Sequence, residues 1–159
     1  MATADSSPAL AALEVLVGEW EVRPTAPPEW GVADPDSLTG RVTVEWALGG
    51  AYLLVRSLAP DPIPDSLCVI AADGDGYLQH YFDSRGVTRL HRMTLADGVW
   101  ALVRTEADFS PLDFSQRFVG AISADASTID GRWERSDDGG RTWELDFAVA
   151  YRRRPCASL

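Results

Sequence analysis

Thr128-Ile129-Asp130-Gly131-Arg132-Trp133-Glu134-Arg135-Ser136 is followed by Asp137-Asp138-Gly139-Gly140 and then by Arg141-Thr142-Trp143-Glu144-Leu145-Asp146-Phe147. Two alternating segments flank a glycine-containing break, and their period of two is that of half-buried strands. With a three-residue turn at Asp137-Asp138-Gly139 and a bulge, Trp133 is expected opposite Trp143, Gly131 opposite Leu145 and Ile129 opposite Phe147. One face then carries Ile129, Trp133, Trp143, Leu145, Phe147, Val149 and Tyr151. The other carries Arg132, Glu134, Glu144 and Asp146. A slip of one residue would mix the faces, so their separation supports an antiparallel hairpin with one apolar side.

The same pattern extends back through the chain. Around Ala124-Asp125-Ala126-Ser127 a preceding hairpin continues the apolar face through Phe114, Phe118 and Ile122, with Gln116 and Arg135 on that face. Around Gly49-Gly50, Val44 and Trp46 face Leu53 and Val55, while Glu45 and Arg56 fall on the other side. About ten strands result, near 19–24, 39–47, 51–59, 66–73, 77–83, 87–95, 98–106, 114–123, 127–136 and 140–153. Asp73-Gly74-Asp75-Gly76, Ser84-Arg85-Gly86 and Asp97-Gly98 supply turn chemistry between them. Residues 24–38 and 59–65 are proline-rich and read as loops or lids, because proline cannot donate to a ladder. A single helix is expected over about 8–17, capped by Ser6 or Ser7, with Pro8 in its first turn and Gly18 as its stop.

Ten antiparallel strands with one apolar face leave two sticky edges, and closing the sheet on itself removes them. The expected fold is therefore all-β: a closed antiparallel up-and-down β-barrel with a short N-terminal helix, one domain over 1–159 with a tail at 155–159. A two-sheet sandwich is the rival.

Composition narrows the function classes. The 159 residues carry a formal net charge of −10, which argues against nucleic acid and anionic membrane surfaces. No apolar run approaches 18 residues, so no membrane insertion is expected. The first residues lack a basic segment and an apolar segment in signal-peptide order, so a cytoplasmic location follows by default. All fourteen basic residues are arginine; without lysine there is no Schiff-base chemistry. Cys68 reads as a small core residue and Cys156 as an incidental thiol in the tail, and no pair has metal-ligand spacing.

Gly18-Glu19-Trp20, following a short helix and opening the first strand, resembles the Gly-x-Trp signature of calycins, the superfamily of lipocalins and fatty-acid-binding proteins. There the Trp plugs one barrel end beneath an Arg of the last strand, which the resemblance assigns to Arg153 within Tyr151-Arg152-Arg153-Arg154. Glu45-Trp46-Ala47-Leu48-Gly49-Gly50, Tyr81-Phe82-Asp83-Ser84-Arg85-Gly86-Val87, Phe114-Ser115-Gln116-Arg117-Phe118, Gly131-Arg132-Trp133-Glu134 and Thr142-Trp143-Glu144-Leu145-Asp146-Phe147 resemble an uncharacterised bacterial lipocalin-like family. That resemblance implies a barrel and no particular activity. Nitrobindins, haem-binding barrels, are more distantly similar: here Glu21-Val22-Arg23-Pro24 replaces their glycine-rich stretch, and no His follows His91.

Val87, Met93 and Leu95 mark the core face of their strand, and the period of two brings Arg89 and His91 inward with them; a buried Arg then needs a partner. The pair could anchor an acidic or carbonyl-bearing ligand, or form an internal network. His80 joins them if the turn at 84–86 is of even length; a bulge at Gly86 would instead bring in Tyr77, Gln79 and Tyr81. Gln116, Arg135, Trp46, Trp133, Trp143 and Phe118 complete the candidate lining. Glu45 with Arg56, and Glu134 and Glu144 with Arg132, read as outer-face pairs.

Three functions fit. The first is binding of a small hydrophobic or aromatic ligand with a polar end, without cofactor or metal. The second is a cofactor-independent cyclase or isomerase acting on an apolar substrate through His91, His80 or Tyr81. The third is haem binding. A homodimer is left open.

Overall fold

A computed structural model describes residues 8–155; the proposed cap at Ser6 or Ser7 and the tail Cys156 lie outside the described residues. The N-terminal segment is helical as expected, but only Pro8–Ala11 is α-helix (α1). Ala12–Leu16 continues as a 3-10 turn. Ten strands follow: β1 (Gly18–Pro24), β2 (Gly40–Ala47), β3 (Tyr52–Leu58), β4 (Ser66–Asp73), β5 (Gly76–Asp83), β6 (Thr88–Ala96), β7 (Val99–Arg104), β8 (Ser115–Ile122), β9 (Thr128–Ser136) and β10 (Glu144–Arg153). Each pairs with its sequence neighbour, and β1 pairs with β10, so the sheet closes into an all-antiparallel up-and-down barrel. Closure leaves no unpaired edge.

One end of the barrel is shut. Leu13, Leu16 and Trp20 are buried there. Trp20 Nε1 donates to the Leu16 carbonyl at 2.9 Å, and Trp46 Nε1 donates to Glu14 at 2.7 Å. The Tyr77 hydroxyl donates to the Ala9 carbonyl. Arg153 lies over Trp20, 4.2 Å from guanidinium carbon to ring centroid, and its Nε donates to the Ala126 carbonyl at 3.0 Å. Its two terminal nitrogens donate to the Val15 and Val17 carbonyls. Gly18 is required beside it: φ is +133°, and a Cβ there would sit 2.7 Å from Arg153 Nη1. This arrangement is compatible with a calycin-like fold.

The last hairpin departs from the expected register. Phe147 pairs with Trp133, Val149 with Gly131 and Tyr151 with Ile129, a shift of four residues. The cause is the loop. Asp138 accepts from the Arg141 and Thr142 backbone N–H groups at 3.0 and 2.9 Å, and Ser136 Oγ accepts from Gly140 N at 2.9 Å. Capped this way, residues 137–143 form a wide turn, and β10 starts at Glu144 rather than at 140. A bulge between Leu145 and Phe147 then changes the facing. Leu145 is exposed. Trp143 sits outside, under the Arg117 guanidinium at 4.3 Å. Of the outer-face pairs, Glu45–Arg56 forms at 3.7 Å. Glu134 binds Arg132 and also Arg117, both at 3.0 Å. No Glu144–Arg132 pair is found among the described residues.

Candidate functional site

Above the Trp20 plug the barrel holds a cavity of about 650 Å³ that opens at the far end. Its walls are mainly aromatic and aliphatic: Trp100, Phe118, Trp133, Phe147 and Tyr151 on one side, Val42, Val55 and Cys68 on the other. Trp30 from the first proline-rich loop and Pro62, Ile63 and Pro64 from the second reach its mouth. The Trp30 ring packs on Phe147 at 5.2 Å.

Two glycines shape the interior. A Cβ on Gly131 would lie 2.5 Å from the Phe118 ring, and one on Gly120 would lie 2.9 Å from it. Phe118 therefore lies flat across adjacent strands instead of standing into the lumen, where Trp133 (5.2 Å) and Trp100 (5.0 Å) pack against it.

The polar part of the wall comes from β5, β6 and β8. The observed register sets Gln79 opposite His91 and Tyr81 opposite Arg89. This is the arrangement with Gly86 left-handed (φ +80°). It brings Gln79 and Tyr81 inside and turns His80 to the outer face, where its ring neighbours Phe109 at 6.4 Å. Gln116 Oε1 accepts from Arg89 Nη1 at 3.4 Å and lies 3.3 Å from His91 Nε2. With that proton on Nε2, Nδ1 is an acceptor, and it is buried without a partner. Burial, foremost, pulls the His91 pKa down to about 4, and nearby Arg89 and Arg104 add to this against the Gln116 hydrogen bond. His91 is thus neutral at pH 7.

Tyr81 donates to Asp83 Oδ2 at 2.8 Å, and burial followed by that bond raises its pKa. Asp83 also accepts from Arg85 at 2.6 Å. Burial works to raise the Asp83 pKa, but the bonds from Arg85, Tyr81 and two backbone amides bring it to about 2. Next to this group is a pair missed in the sequence. Arg104 and Asp108 are joined by two bonds of 2.8 and 3.0 Å, with side chains only 3% and 6% exposed. Asp108 also accepts from Leu90 N at 2.8 Å, where β7 has already ended. Its pKa is lowered, chiefly by Arg104. One signal was available: the i,i+4 spacing of Arg104 and Asp108 at a strand end.

Of the expected lining residues, Arg89, His91, Gln116, Trp133 and Phe118 border the cavity, as does Tyr81. Four do not. His80 and Trp143 lie outside the barrel, and Trp46 sits at the closed end. Arg135 stacks on Phe114 at 4.2 Å and pairs with Asp137 at 3.0 Å, its side chain 47% exposed at the rim. Asp146, expected on the outer face, borders the cavity beside the bulge. Burial raises its pKa, and Glu29 adds to this against Arg135. Tyr151 and Gln79 border the cavity, and their polar atoms have no hydrogen-bond partner among the described residues.

Neither histidine is placed to ligate an iron porphyrin: His80 is outside, and His91 has one nitrogen on Gln116 and the other sealed in the wall. Among the described residues no cluster of His, Cys, Asp or Glu is placed to hold a metal ion, and no helix is long and apolar enough to cross a membrane. No protein-family model and no curated protein matches the sequence.

Proposed function

We propose that the protein binds a small hydrophobic or aromatic molecule with a polar end inside the barrel. One observation carries this reading. A cavity of about 650 Å³ with aromatic walls is bordered by Tyr151 and Gln79, whose side-chain polar atoms have no hydrogen-bond partner among the described residues. Ligand pockets have this size and this mix of apolar wall and few polar groups, and interior polar groups seek partners. Catalysis has less support. The only His in the wall is neutral, held through one nitrogen and closed off at the other, and the Tyr81 hydroxyl is committed to Asp83.

The test is denaturing extraction of the purified protein followed by mass spectrometry, with thermal shifts against fatty acids, polyketide-like aromatics and hemin. A ligand at a hundred times its Kd should stabilise the fold by about 2.7 kcal/mol. If no apolar compound co-purifies and none raises the melting temperature, the reading fails.

A further inference from the structure

We propose that the polar end of the ligand is an anion, a carboxylate or a group of like charge, and that Arg89 is its counter-ion. The inference rests on the cavity-binding reading above and specifies the ligand class. It comes from a local charge count.

Three guanidinium groups cluster at the upper wall: Arg85, Arg89 and Arg104. Two carboxylates accompany them. Asp83 is taken up by Arg85, with the Tyr81 hydroxyl on the same oxygen. Asp108 is taken up by Arg104, with the Leu90 and Ser110 amides. That leaves Arg89. Among the described residues its guanidinium makes one hydrogen bond, to a neutral amide oxygen, Gln116 Oε1, at a long 3.4 Å. Its one ring contact is the Phe114 face at 5.4 Å. Among the described residues no carboxylate comes within ion-pair distance of it. The acids at the mouth, Glu29 and Asp146, belong to the first proline-rich loop and to β10, away from β5 and β6. Neutral His91 adds no charge of its own.

An arginine stays protonated at any pH the fold survives, and a partly desolvated cation without a counter-charge is costly. Arg89 borders the cavity, so an anion there would meet it directly while an apolar tail lay against Phe118, Trp133 and Phe147. A neutral amphiphile of the same shape would leave the charge unmatched.

The experiment uses a matched pair of fluorescent probes, 11-(dansylamino)undecanoic acid and its methyl ester, titrated into the full-length protein at neutral pH. The acid is expected to bind about tenfold or more tighter than the ester. In Arg89→Gln the two affinities should converge, mainly through loss of acid binding. In Arg89→Lys, which keeps the charge, part of the preference should survive. Equal binding of acid and ester by the unaltered protein overturns the anion assignment and leaves the cavity reading standing. A preference that persists undiminished in Arg89→Gln overturns the role of Arg89. If neither probe binds, the cavity reading falls and this inference with it. The wild-type ratio is decisive by itself, so the proposal remains testable even if Arg89→Gln does not fold.

Discussion

The Arg153 guanidinium covers the Trp20 indole at 4.2 Å and thereby ties the last strand to the first strand and to the segment that plugs the barrel. The same side chain supplies donors to the carbonyls of Val15, Val17 and Ala126. Arg153→Ala is expected to cost about 2–4 kcal/mol, from lost packing on Trp20 and from carbonyls left without donors. Gly18→Ala should cost about 1–3 kcal/mol, because its backbone is left-handed and the added methyl meets Arg153. Urea unfolding measures both; an Arg153→Ala midpoint equal to wild type would show the clamp to be idle.

Phe118 lies flat only because Gly120 and Gly131 leave room for it. Gly131→Ala is expected to destabilise by about 1–3 kcal/mol through overpacking and to push the ring toward the lumen. Phe118→Leu in the same chain should recover part of that loss. A double-mutant cycle with no coupling would contradict the contact.

His91 makes stability depend on pH. Its folded pKa, about 4, lies below the 6.5 of the free side chain. Below pH 6.5 the unfolded chain therefore takes up a proton that the folded chain refuses. The contribution is complete above about pH 6.5, is lost as pH falls toward 4, and amounts to about 3 kcal/mol across that window. His91→Gln should remove this component, leaving the slope due to the carboxylates. Urea midpoints of both proteins between pH 7.5 and 4.5 give the comparison, and parallel curves would rule the effect out.

The Arg104–Asp108 pair is a buried salt bridge whose loss strands a charge. Asp108→Asn is expected to cost about 3–5 kcal/mol and to loosen residues 105–113. It also weakens the acceptor of the Leu90 amide. Hydrogen exchange at Leu90 should accelerate far more than at Met93, deeper in the same strand; equal acceleration would mean that Asp108 does not anchor this end of β6.

Alternation and turn chemistry by themselves determined the ten strands, their antiparallel order and barrel closure, while the plug pair Trp20 and Arg153 came from the resemblance of Gly18-Glu19-Trp20 to the calycin signature. These are local signals, a period of two and glycine or aspartate at chain reversals, and they act whatever lies across the barrel. They also placed Phe118, Trp133 and Gln116 on the inner face, because β8 and β9 pair without interruption.

Tertiary structure alone decided the rest. Asp138 gathers residues 137–143 into a wide turn and a bulge follows, so Trp143 and Leu145 go outside and Asp146 reaches the cavity. The Gly86 turn decided between an even-length and a bulged connection, sending His80 out and Gln79 and Tyr81 in. That Arg85 and Arg104 each have a carboxylate while Arg89 has none depends on how a strand end and a loop meet in space. Parity fixes which way a side chain leaves its strand, whereas a loop's hydrogen bonds fix how many residues are spent before parity is counted again, and pairing of charges is settled only when separate elements come together.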